Sequence, residues 1–200
     1  MYSDKEIIDI CKSKMMAEAD GIVRVSEQID KAFVSACKLI NSCKGKVIVS
    51  GLGKTGHIGS KIAASMACLG VPAFFVHSCE ALHGDLGMIE KDDVVIFISN
   101  SGKSPEIISM LAAVGDVGPK TISITRDASS PLAKNTDVVI LCDAGPEADE
   151  LGLAPTTSST AALALGDALA MVVSQLRGFD RKDFAIRHPG GALGAKLLQK

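Results

Sequence analysis

Residues Val94-Val95-Ile96-Phe97-Ile98 form an unbroken apolar run, mostly β-branched, that gives way at once to Ser99-Asn100-Ser101-Gly102-Lys103-Ser104-Pro105-Glu106. A strand with one wet face alternates apolar and polar residues. A run without alternation suits a strand covered on both faces, as in a parallel sheet. Ser104 followed by Pro105 reads as a helix N-cap with proline in the first turn, where a missing N–H costs nothing. Strand, polar loop and helix start follow one another, so hydroxyls and unpaired helix N–H groups gather at the carboxyl end of a central strand. Such a place attracts an anion, phosphate above all. An ordinary polar loop with a good cap satisfies the same letters, and the two readings carry equal weight on this segment alone.

The same punctuation recurs along the chain. Asp4 to about Lys44 reads as helical, with Ile22, Val25, Ile29, Phe33, Ala36 and Ile40 on one stripe. Ser3 and Glu6 form a capping box, and Gly21 marks a bend or a break between two helices. Strands are expected at 47–49, 72–76, 94–98, 121–125 and 138–141. Helices are expected at 58–69, 105–114 and 158–176, with 78–88 partly helical and 144–157 a loop. Strands separated by helices imply right-handed crossovers and an α/β three-layer sandwich around a five-stranded parallel sheet. In the flavodoxin-like order 2-1-3-4-5, a ligand crevice opens at the carboxyl ends of strands 1 and 3. Those ends are Gly51–Gly56 and Ser99–Glu106, the loops richest in glycine and serine.

Composition excludes several partners. The net charge is -2, with no basic stripe, and aromatics are 4% with no Trp, which argues against nucleic acid. The cysteines at 11, 37, 43, 68, 79 and 142 form no C-x-x-C pair and read as reduced thiols of a cytoplasmic protein. The charged N-terminus lacks the apolar core of a signal peptide. Ala161–Val173, interrupted by Gly166 and Asp167, falls short of the roughly 20 residues of a membrane span. Asp167 would be costly to bury alone, so a partner for it across a subunit interface is expected. The apolar N-terminal stripe and the Ala161–Val173 helix suggest burial between subunits. At 200 residues the chain suits a single domain.

Two nucleotide motifs match only by letter. Gly51-x-Gly53-x-x-Gly56 lacks an acidic residue at the end of the second strand to hold a ribose. Gly53-Lys54-Thr55 would need a P-loop glycine at position 48, which is Ile48. What remains is Lys54 in a tight turn at the crevice mouth, either a solvated lysine or a charge placed for a ligand.

Five segments in combination resemble the arabinose-5-phosphate isomerases of the sugar isomerase (SIS) domain superfamily. They are Ser50–Gly59, Glu80–Ile89, Ser99–Gly102, Leu151–Thr156 and His188-Pro189-Gly190-Gly191. The resemblance implies interconversion of D-ribulose 5-phosphate and D-arabinose 5-phosphate, for synthesis of the lipopolysaccharide and capsule sugar Kdo. Carried onto this chain, it places catalytic groups at Lys54, His83, Glu106, Glu147 and His188. Substrate and phosphate contacts fall on Ser50, Gly51, Gly53, Thr55, Ser99, Asn100, Ser101, Gly102 and Ser104. It also implies a homo-oligomer, expected to be a tetramer, with at least one histidine supplied by a neighbour. Most relatives continue into a pair of CBS domains; this chain stops at Lys200, where they would begin. Any feedback ligand is then expected in the same crevice, and CMP-Kdo, an anionic sugar with a phosphate, fits that expectation.

Aldose–ketose isomerisation requires a base, an acid that moves the oxygen-bound proton, and a positive group for the enediolate. It requires neither metal nor redox cofactor when it proceeds by proton transfer. Lys54 is the natural stabiliser. His188 is the leading base or ring-opening group with His83 as its partner, roles that Glu147 could exchange with them; Glu106 serves as base or hydroxyl ligand. His57 reads as structural. The competing functions are a non-catalytic sugar-phosphate sensor, an isomerase of a hexose phosphate and, more weakly, a dinucleotide binder.

Overall fold

The computed structural model describes residues 2–190; Gly191, the last residue of the His188–Gly191 motif, lies outside them. The chain begins with two helices, α1 (Asp4–Ser26) and α2 (Lys31–Ser42). Alternating elements follow: β1 (Val47–Gly51), α3 (Lys54–Cys68), β2 (Ala73–His77), α4 (Ser78–Ala81), β3 (Val94–Ile98), α5 (Pro105–Val117), β4 (Lys120–Thr125), α6 (Pro131–Lys134) and β5 (Val138–Leu141). The long α7 (Thr157–Leu176) and the short α8 (Arg181–Arg187) close the described chain. The five strands are parallel, in the order β2-β1-β3-β4-β5.

Burial on both faces explains the apolar runs. Val94, Ile96 and Ile98 of β3 face one core with α2, α3 and α7, while Val95 and Phe97 face the other with α5. Every β3 residue is buried, so β3 has no face left for polar residues and they are confined to its ends.

Several boundaries differ from the sequence reading. The break in the N-terminal helical segment falls after Ser26, not at Gly21, because Asp30 caps α2 by accepting from Ala32 N at 2.8 Å. Gly21 instead lies inside α1. The Ser3–Glu6 capping box is formed. α3 starts at Lys54 rather than Ile58, so the second half of the glycine-rich turn is already helix. α7 is 20 residues long, and by length and composition it could cross a membrane. Its apolar residues have a nearer use: Ala161, Leu165, Leu169, Ala170 and Val173 are buried in the core of this same chain. Asp167 likewise finds its partner within the chain, Lys61 of α3. The second oxygen of Asp167, Oδ1, is buried with no hydrogen-bond partner among the described residues, and Met171 and Leu176 of α7 stay exposed.

α3 and α7 meet closely at Gly166, where a Cβ would lie 2.3 and 2.5 Å from atoms of the buried Ile62 side chain. Gly166→Val should therefore overpack this contact and destabilise the fold by about 1–3 kcal/mol, measured by urea denaturation; unchanged stability would show that the two helices separate freely.

Candidate active site

A cavity of about 250 Å³ opens at the carboxyl ends of the strands. Its floor is Ile98 of β3, Ile124 and Thr125 of β4, and Cys142 after β5. Three helix starts supply the walls. Lys54 and Thr55 open α3, Ser104 caps α5, and Ser158 and Ser159 stand in the first turn of α7. Aligned peptide dipoles leave partial positive charge and unpaired N–H donors at the starts of α3 and α5. Among the described lining residues Lys54 is the one formal charge. The site is thus positive without an opposing carboxylate in its wall, and it suits a phosphorylated ligand.

The Ser99–Ser104 loop is held rigid by its neighbours. Ser99 N donates to Ile124 O at 3.1 Å, and Asn100 O accepts from Arg126 N at 3.1 Å. Gly102 N donates to Ser99 Oγ at 3.1 Å. Gly102 has φ of 62° and sits so close to α6 that a Cβ would lie 2.2 Å from Ser130 Oγ; only glycine closes this turn without strain. Ser104 occupies the N-cap position of α5 but its hydroxyl makes no bond to the helix. The hydroxyl and the helix amides that a serine cap ordinarily satisfies are therefore available to a ligand. Gly51 permits a second close approach, since a Cβ there would lie 2.8 Å from Thr55 O.

The expected residues divide into three groups. Lys54, Thr55, Ser99, Asn100, Ser101 and Ser104 line the cavity together. Thr55 contributes mainly shape, because its hydroxyl is bonded to Leu52 N and O at 3.2 and 2.8 Å. Gly51, Gly53 and Gly102 shape the loops without lining the cavity. Ser50 is a correction: it is fully buried on the α5 side of the sheet, its hydroxyl 3.0 Å from Ser78 Oγ and 3.1 Å from Met110 Sδ. It supports β1 from below and touches no cavity wall.

The four remaining groups lie outside the wall of a single chain. Glu106 stands in the first turn of α5 beside Ser104. His83 is exposed just after α4, the short helix that follows β2 and packs on the α5 side of the sheet. Glu147 is tied to the start of α7: its Oε2 accepts from Thr156 N at 2.8 Å, Ser158 N at 3.1 Å and Thr156 Oγ1 at 3.3 Å. Partial burial pushes its carboxyl up, but the bonds from Ser158 and Thr156 outweigh that and hold it below its ordinary 4.5. His188 lies farthest away. Its Nε2 is 3.2 Å from Cys68 Sγ at the far end of α3, its Nδ1 is 2.8 Å from Phe184 O, and its ring stacks on Phe184. The 15 residues of α3 separate it from Lys54 by about 20 Å. The chain by itself does not bring His188 to the cavity.

Ser158, Ser159 and Pro155 line the cavity without being expected from the sequence. Their signal is Thr156-Thr157-Ser158-Ser159-Thr160, five consecutive hydroxyls at a helix start. Cys142 joins them from the floor; burial pushes its thiol up to about 12, so it is a neutral surface there.

The sequence profile described as "SIS domain" matches residues 39–172, from α2 to α7. The chain belongs to the SIS domain family. Arabinose 5-phosphate isomerase KdsD of Pseudomonas aeruginosa is 47% identical over 200 residues, covering 100% of this chain and 61% of that protein. Arabinose 5-phosphate isomerase GutQ of Escherichia coli K12 is 46% identical over 194 residues, covering 97% of this chain and 60% of that one. This SIS chain thus spans about three-fifths of the length of both curated relatives. Among solved structures, E. coli CFT073 c3406 in complex with arabinose 5-phosphate superposes with a TM-score of 0.92 at 44% identity, over 94% of this chain and all of that one.

The cap formed by Glu147 has a pH signature. A carboxyl held below its ordinary value stabilises the fold above about pH 4.5, and the contribution disappears as pH falls through the depressed value. Glu147→Gln should lose about 1 kcal/mol at pH 7, the scale of a helix cap, and the gap to the parent should close in acid. Denaturation at both pH values checks this; a gap independent of pH would show that the charge is not what holds α7.

Proposed function

We propose that this SIS chain is an aldose–ketose isomerase that interconverts D-arabinose 5-phosphate and D-ribulose 5-phosphate. The supporting observation is the coincidence of two things: a cavity with Lys54 and three helix starts, and 46–47% identity to proteins named arabinose 5-phosphate isomerase along almost the whole chain. The sugar-phosphate complex of the E. coli CFT073 neighbour supports the same ligand class.

In this reading the phosphate sits at the Ser101–Ser104 loop against the start of α5, where N–H donors and hydroxyls match its oxygens. The open-chain sugar extends toward Lys54. A base takes the C2 proton of the aldose and returns it to C1, while the O2 proton moves to O1. Lys54 stabilises the enediolate between these steps. Glu106, in the first turn of α5 beside Ser104, is the acid–base candidate on that helix. Glu147 is a poor base while three donors hold its carboxylate, so its role is to fix the α7 wall. The ring-opening and proton-shuttling imidazoles, His188 and His83, come from neighbouring subunits of a homotetramer, which accounts for their distance from the cavity within one chain. The exposed Ile7, Ile8, Met15 and Met16 of α1 provide apolar surface for such an assembly. The enzyme works in the cytoplasm, supplies Kdo synthesis, and binds CMP-Kdo in the same crevice.

Two experiments test this. The protein should convert arabinose 5-phosphate to ribulose 5-phosphate, ahead of hexose phosphates and without action on free arabinose. Lys54→Ala should lower kcat/KM about 10²–10³-fold with its unfolding transition unmoved; retained turnover would remove Lys54 from the mechanism. Separately, Lys54→Ala and His188→Ala should each be strongly impaired, and unfolding and refolding them together should restore turnover well above either alone, because some sites then combine an intact lysine with an intact histidine. No recovery despite mixed assemblies would place both residues in one chain's site.

A further inference from the structure

α1 ends at Ser26, before residue 39 where the SIS profile begins, yet it grips one wall of the cavity. Glu18 Oε2 accepts from Thr160 Oγ1 of α7 at 2.8 Å. One turn later, at Gly21, the helices come so close that a Cβ would lie 2.2 Å from Thr157 Cγ2 and 3.2 Å from Ala144 O. Two turns further, Gln28 clasps the backbone of Asp143, donating to its carbonyl at 2.8 Å and accepting from its N–H at 3.0 Å. Arg24 adds an ion pair to the Asp143 carboxylate at 3.1 Å. Glu18, Gly21 and Arg24 recur every three residues, so they form one edge of α1, and Gln28 follows in the turn after the helix. They hold both ends of segment 143–160, which carries Glu147 and the wall residues Pro155, Ser158 and Ser159.

Thr157 shows how the wall is fixed. It is 1% exposed, and its hydroxyl has no hydrogen-bond partner among the described residues. Thr157 itself is therefore placed by packing against Gly21, not by a hydrogen bond of its own, beside the bonds that Glu147 and Glu18 make to the same turn. Any larger residue at Gly21 would push that turn away from α1, toward or across the cavity.

We propose that Glu18 and Gly21 are positioning residues for the sugar-phosphate site, acting through Thr160 and Thr157 to set the α7 wall. Neither residue touches the cavity. The kinetic consequence rests on the isomerase reading; the structural consequence does not. A wall displaced by an ångström misplaces the bound sugar relative to Lys54, and misplacement of that size costs up to about 10²-fold in rate.

The test compares Glu18→Ala, Glu18→Gln and Gly21→Ala with the parent by amide hydrogen exchange and by kinetics with arabinose 5-phosphate. Exchange is read at Thr156, Ser158 and Thr160, whose amides bond to Glu147 and to Thr156 O. Glu18→Ala should speed exchange there about tenfold while β1 and β3 amides keep their protection. It should also lower kcat/KM by about 10–100-fold, largely through KM. Glu18→Gln, which keeps an acceptor for Thr160, should restore both to within a few-fold, an outcome that simple loss of stability would not give. Gly21→Ala should reproduce the alanine phenotype; should it not fold, the Glu18 pair still decides. Parent-like exchange and kinetics in Glu18→Ala would overturn the inference with the isomerase reading intact. A parent protein inert toward every phosphosugar would remove that reading, and exchange at the three amides would then decide the inference alone.

Discussion

Burial of the central strands on both faces is the constraint from which the site follows. With every residue of β1 and β3 enclosed, the polar groups open to a ligand accumulate at the carboxyl tips. There each strand hands over to a helix, and the helix starts leave N–H donors unpaired. Glycines let those starts approach: Gly51 admits Thr55, and Gly102 admits Ser130. The result is a cavity whose positive character comes largely from backbone, with one lysine added. Backbone donors of this kind are already oriented and lose little on binding, which is the main advantage of a preorganised anion site.

A second layer controls that cavity. Glu147 clamps the start of α7 from the loop side and α1 clamps it from the other, so the wall opposite the serine loop is held at two points. A carboxylate that looks catalytic by its place in a motif therefore has a structural duty in this chain. His188 shows the converse. Phe184 and Cys68 hold its ring, yet it lies at the opposite pole from Lys54, so any part it takes in the chemistry belongs to an assembly.

Much of this is legible in the sequence because the relevant physics is local. The apolar run at 94–98, the Ser104-Pro105 cap and the alternation of elements are enough for the parallel sheet, its strand order and the two neighbouring loops. Non-local facts are less legible. Ser50 and Ser99 look equivalent as serines at strand ends, but Ser50 is still inside β1, opposite Phe97 and against Met110, whereas Ser99 lies past the last residue of β3 and lines the cavity. Asp167 and the apolar α7 suggest a subunit interface; within the chain Lys61 pairs one oxygen of Asp167 and the core takes one face of α7. Gly21 reads as a helix break because glycine is a weak helix former; its actual use, close contact with Thr157, depends on a helix 136 positions away. The hydroxyl run at 156–160 is a local signal, and it points to the α7 wall as directly as Ser104-Pro105 points to the start of α5.

The claim on which the rest stands is that a phosphate is held at the Ser101–Ser104 loop by the start of α5. Backbone amide chemical shifts, followed by NMR during titration with arabinose 5-phosphate and in parallel with unphosphorylated arabinose, test it most directly. The account predicts large saturable shifts at Ser101, Gly102, Lys103, Ser104 and Glu106 with the phosphorylated sugar and none with the free one. Shifts confined to another surface, or equal responses to both sugars, would contradict it.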